Sequence, residues 1–111
     1  LVIVNGGLGN GSTNYATGVN LLRDSTSIYQ GDTRGSASRA SAFSIARGGT
    51  GGIEQFAINY LDSPSTTSAT TYALQAGTES GGTAVVGGSS ASAGAYNGSV
   101  PTSIILMEVA G

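Results

Sequence analysis

The stretch that most resembles a chemical site is LVIVNGGLGNGST, residues 1–13, where an apolar run enters a cluster of glycines as phosphate-binding loops do. A dinucleotide site needs G-x-G-x-x-G followed at once by a helix whose N-terminal amides hold the pyrophosphate, and a P-loop also needs a lysine. Here the glycines stand at Gly6, Gly7, Gly9 and Gly11, the chain has no lysine, and STNYATGVNLL shows no apolar stripe of helical period. The segment therefore reads as a strand, Leu1 to Asn5, that opens into a strand-to-strand loop over NGGLGNGSTN.

The rest of the polar inventory is narrow. The charged side chains are Arg23, Arg34, Arg39 and Arg47 against Asp24, Asp32, Asp62, Glu54, Glu79 and Glu108, a net charge of -2 with no histidine and no cysteine. Imidazole bases, Schiff-base lysines, thiolate or histidine metal sites and strongly basic nucleic-acid surfaces are excluded on these counts. Without cysteine the redox compartment is undecided. The many serine and threonine hydroxyls have no base to activate them. Glycosidase chemistry needs two carboxylates facing across a cleft, yet Asp62 in LDSPST reads as a turn cap and Glu108 as half-buried or solvated near the chain end. The expectation is a protein without catalytic residues, metal or cofactor.

Two sets of residues remain as recognition candidates. Asn10-Gly11-Ser12 and Asn97-Gly98-Ser99 match glycosylation triplets, which also arise by chance in loops of this composition. Arg34, Arg39 and Arg47 lie in or beside one loop region, and Tyr15, Tyr29 and Tyr96 stand near loop ends. Exposed together, such rings and guanidinium groups suit an acidic glycan. Alternatively the tyrosines plug the ends of the fold and the arginines pair with Asp24 or Asp32. The loop residues taken as candidates are Asn10, Tyr15, Arg34, Arg39, Tyr96 and Asn97.

The elements that must position them are strands. No window repeats apolar residues at helical spacing, whereas short apolar runs bounded by Gly, Asn, Asp or Pro recur along all 111 residues, as in a sandwich or barrel. Strands are predicted at Leu1–Asn5, Gly18–Arg23, Thr26–Gln30, Ser41–Arg47, Gln55–Leu61, Thr70–Ala76, Thr83–Val86 and Thr102–Val109. Phe56, Ile58 and Tyr60 share one face, as do Tyr72, Leu74 and Ala76, Phe43 and Ile45, and Val19 and Leu21. RDST, residues 23–26, reads as a two-residue hairpin with Asp24 bonding its own backbone and tolerating an unusual dihedral. The last strand is apolar on both faces, with Ile104 and Leu106 on one and Ile105, Met107 and Val109 on the other, which predicts a mid-sheet position or a subunit interface. No apolar stretch is long enough to span a bilayer as a helix. The single domain, residues 1–111, starts inside a strand and is taken as the C-terminal part of a longer chain.

Three segments, LLRDSTSIYQGDTRGSASRASAF (21–43), FAINYLDSPSTTSATTYALQAG (56–77) and PTSIILMEVAG (101–111), resemble a C-terminal module of tailed-bacteriophage virion proteins. That family carries R-D-S/G-T-x-I, then G-D, then Y-L-D-S-P-x-T-T-S-A-x-T-Y, and ends on S-I-x-x-M-E-V. The matches fall in order over about half the chain, and YLDSPSTTSATTY is the most specific. The resemblance implies an antiparallel jelly-roll sandwich of the tumour-necrosis-factor-like kind, of about eight strands and often trimeric. It further implies a non-enzymatic tail-fibre or head-fibre module on the virion surface, contacting other virion proteins and a host receptor or glycan, with no nucleic acid and no membrane insertion. A capsid decoration or knob protein is the rival reading. A fibre-borne depolymerase is a third, disfavoured by the missing histidines and unpaired carboxylates. In a homotrimer the buried face of the last strand would hold Ile105, Met107 and Val109.

Overall fold

The computed structural model describes residues 1–11, 15–45, 52–78, 81–89 and 98–109. Among these the protein is all-β, with eight strands, two sheets, antiparallel pairing throughout and no helix. The strands are β1 Val2–Asn10, β2 Ala16–Arg23, β3 Thr26–Ile28, β4 Ala42–Ile45, β5 Ile53–Tyr60, β6 Tyr72–Thr78, β7 Ala84–Val86 and β8 Ser103–Leu106.

The two sheets are built alike. In the first, β5 runs along one edge of β1 while β8 and β7 share the other, opposite Val2–Asn5 and Leu8–Asn10 respectively. In the second, β6 runs along one edge of β2 while β3 and β4 share the other. Period-two alternation then sorts the side chains. Val2, Val4 and Leu8 of β1, Val19 and Leu21 of β2 and Ile58 of β5 form the buried core, with Phe56, Tyr60, Tyr72, Leu74, Ile28 and Ala42 packed around it. The predicted face of β5 and the Tyr72 and Leu74 positions of β6 thus turn inward, while Ala76 is exposed.

One strand is much longer than its sequence suggests. The glycine-rich segment expected as a loop is the second half of β1, and it pairs with β5 as far as Gly9↔Ile53. Glycine has no side chain with which to show alternation, but it admits close neighbours. A Cβ on Gly7 would stand 2.5 Å from Val100 Cγ2 and 2.7 Å from Ile53 Cγ2, and one on Gly9 would run into the Gly88 carbonyl oxygen. Gly87 N donates to Gly7 O at 2.9 Å, and Val100 N to Gly87 O at 2.8 Å, so the 87–88 and 98–100 segments lie across the outer face of β1.

Other expectations shift as well. The predicted hairpin forms, with Asp24 at φ 52°, but the Asp24 carboxylate accepts from Thr71 N at 3.0 Å and not from its own backbone. Among the described residues strand β8 is not mid-sheet: it pairs with β1 and no second strand, and Ile104, Ile105, Leu106, Met107 and Val109 are all exposed. Phe43 pairs with Gly18 on the outward face of the second sheet and is 52% exposed, because β4 turns its small residues Ala42 and Ser44 toward the core.

Candidate functional site

On the outer face of the second sheet lies a groove of about 610 Å³. Its floor is made by outward-facing positions of β2 and β6, where Gly18 and Gly77 are direct partners and Ala16 lies alongside. Two adjacent glycines leave the sheet surface bare. The Phe43 ring leans over Gly18, where a Cβ would meet it at 2.8 Å, while the space above Gly77 is open to at least 4 Å. Asn20 and Gln75, also direct partners, bring amides to the lining.

The second wall is the 31–40 loop, which carries Arg39, and backbone bonds hold its base. Gly31 N donates to Ala40 O at 3.2 Å and Ser41 N to Val19 O at 2.8 Å, while Ser41 Oγ accepts from Leu21 N at 2.9 Å. Arg39 Nε donates to Gly31 O at 2.6 Å. Gln30 Nε2 joins wall to floor, donating to Asn20 Oδ1 at 3.0 Å and to Arg39 O at 3.3 Å. Among the described residues Arg39 takes part in no ion pair, and no Asp or Glu lines the groove. An aromatic wall, amide donors and acceptors and one cation over a bare floor suit a flat, hydroxyl-rich ligand.

A nearly buried carboxylate lies elsewhere and links the two sheets. Asp62, just past β5, receives Arg23 Nη1 at 3.0 and 3.1 Å on its two carboxylate oxygens and Tyr72 OH at 2.7 Å. The Asp62 side chain is 5% exposed, that of Arg23 30%. The hydrogen bond to Asp62 pushes the Tyr72 phenol above its usual pKa of 10.0, with burial and the Asp62 charge adding to it. Asp62 is therefore a clamp between the end of β5 and strands β2 and β6, not the turn cap its sequence context suggests. At the opposite end Asn10 Nδ2 donates to Tyr15 O, Thr17 Oγ1 and Thr78 Oγ1 at 2.9–3.1 Å. Thr17 in turn donates to Gly9 O, and Thr78 to Ala16 O. Among the described residues no group of three or more His, Cys, Asp or Glu is placed to hold a metal.

Set against this geometry, the candidate residues separate. Asn10 was expected on an exposed loop, but it is 1% exposed with its amide engaged inside the fold, so it presents nothing to a receptor or a glycosyl donor. Tyr15 is half-buried, with its hydroxyl beside Gly81, and it meets Asn10 through its carbonyl. Arg34 is exposed at a turn closed by Ala37 N to Arg34 O, with Gly35 at φ +56°. Among the described members of the set Arg39 lines the groove, and Asn10, Tyr15 and Arg34 do not. Arg47, Tyr96 and Asn97 lie outside the described residues. Ile105, Met107 and Val109 are exposed, and Met107 and Val109 line a second cavity of about 400 Å³ together with Leu61, itself 65% exposed. Phe43, Asn20 and Gln75 were not singled out by sequence. The alternation in SAFSIAR puts Phe43 and Ile45 on one face but does not say that this face looks outward.

Comparison with protein-family models, with curated protein sequences and with solved structures returns no match for this chain.

Proposed function

We propose that the chain is a non-enzymatic surface module of a tailed-phage virion, a jelly-roll fibre-tip domain acting as a homotrimer, which attaches to host-surface glycan through the groove on the second sheet. The observation that carries this reading is the exposed Phe43 ring standing over Gly18, next to the open floor at Gly77, in a groove that Arg39 also lines. Rings stack on sugar faces, and a small-residue floor lets a sugar lie flat against the sheet. The resemblance of YLDSPSTTSATTY and its flanking segments to phage virion modules supplies the setting. Three copies binding weakly and together would provide the avidity that attachment needs. The apolar, exposed β8 supports a trimer that covers Ile105, Met107 and Val109.

The same β8 surface also favours the decoration reading, in which it docks on other virion proteins. Adsorption separates the two. The soluble chain is expected to bind bacterial surface polysaccharide on a glycan array and to block virion adsorption, with Phe43→Ala losing both at an unchanged melting temperature. A chain that binds no glycan and blocks no adsorption, with antibody labelling that follows the capsid lattice, overturns the attachment reading. Light scattering that gives a monomer mass at micromolar concentration overturns the trimer.

A further inference from the structure

We infer that the groove is selective for carboxylate-bearing sugars, uronic or sialic acids, and that Arg39 reads the carboxylate; this rests on the glycan-binding reading above. Arg39 is the charged group among the described lining residues, and the other polar lining is amide and hydroxyl. Among the described residues the lining of this chain of net charge -2 thus carries one cation and no carboxylate. Its guanidinium is already oriented, because Nε is committed to Gly31 O at 2.6 Å and the loop base is stitched to β2. With Nε occupied, the pair of donors left is Nη1 and Nη2, an end-on fork whose spacing matches the two oxygens of a carboxylate.

The remaining lining fits the body of the same ligand. Phe43 offers an apolar face for the ring, and Asn20 and Gln75 offer amide groups for hydroxyls. Asn20 Oδ1 already accepts from Gln30, which leaves the Asn20 Nδ2 donor for a sugar oxygen. Neutral sugars would use the ring and the amides but leave the fork unmatched. The expected consequence is graded: any suitable hexose binds weakly, and the acidic one binds better.

The test is a panel of oligosaccharides carrying galacturonate, glucuronate or sialic acid, each beside its carboxyl-reduced form and a sulfated neutral analogue, titrated into the purified chain. At least one acid is expected to bind about tenfold or more tightly than its reduced form, with the gap closing as salt rises. Arg39→Gln should close the gap between the acid and its reduced form. Arg39→Lys should restore part of the gap, and that partial recovery shows that a folding defect is not the cause. Equal binding of acid and reduced form overturns the inference while leaving glycan attachment standing. Preference for the sulfated analogue over the acid overturns the carboxylate assignment. Failure of every sugar to bind overturns the attachment reading itself.

Discussion

The central strands of the two sheets put glycine to opposite uses. On β1 the outward positions Gly7 and Gly9 are buried, because the 87–88 and 98–100 segments press against them more closely than any Cβ allows. On β2 and β6 the outward pair Gly18 and Gly77 is left uncovered, with Phe43 leaning over one and open space above the other. In the first sheet the missing side chain admits the protein's own backbone; in the second it leaves room for something else. Glycine at a strand interior marks close approach at Gly7, Gly9 and Gly18, whereas among the described residues nothing approaches Gly77.

The comparison breaks most sharply at Gly9. Gly9→Ala drives a Cβ into the Gly88 carbonyl, a backbone atom that cannot rotate away, and is expected to cost about 3 kcal/mol in urea unfolding. A loss no greater than that of an exposed-strand alanine would mean that the covering segment does not seat on β1.

The next largest effect tests what holds the sheets to each other. Asp62→Ala strands Arg23 and Tyr72, but Arg23 is 30% exposed and can turn to water, so the expected loss is about 2 kcal/mol, below that for a fully buried pair. Tyr72 adds a pH signature. Its phenol pKa is raised in the fold, so the folded state favours the protonated form. That stability is fully present below about pH 10, the unfolded value, and is lost as pH climbs through the raised folded value. Tyr72→Phe should flatten this alkaline fall, and chemical unfolding at pH 8 and at pH 11 reads it.

Gly77→Ala marks the small end. Nothing stands within 4 Å of its Cβ position, so stability should change by no more than about 0.5 kcal/mol. A loss as large as that at Gly9 would mean that the groove floor is covered and would erase the contrast between the sheets.

Much of the fold is legible in local pattern. Each of the eight strands among the described residues overlaps a short run predicted between turn residues, and the Asp24-Ser25 hairpin lies where its turn chemistry puts it. The inward faces of β5 and β6 follow from alternation in QFAINYL and TYALQA, since aromatic and branched residues at every second position seek one buried face. The second half of β1 is hidden because glycine carries no alternation. The clamp is hidden for another reason: Arg23 and Asp62 are 39 residues apart, and no local pattern pairs them. Asp62 in LDSPST has all the marks of a turn residue, and its true partners come from β2 and β6.

The groove shows the same division within a single strand. That Phe43 and Ile45 share a face is a property of the sequence, because successive side chains of a strand point to opposite sides whatever surrounds it. That the Phe43 ring looks out, over Gly18 and into the groove that Arg39 lines, was decided only by assembly, when Ala42 and Ser44 took the inward positions opposite Val19 and Thr17. Composition alone removed histidine, lysine and thiol chemistry, and the short apolar runs between turn residues pointed to an all-β chain. Which glycines would be covered, which aromatic ring would stay exposed and which carboxylate would be buried were settled in three dimensions. Those outcomes depend on contacts between distant segments, and the periodicity of any one segment does not encode them.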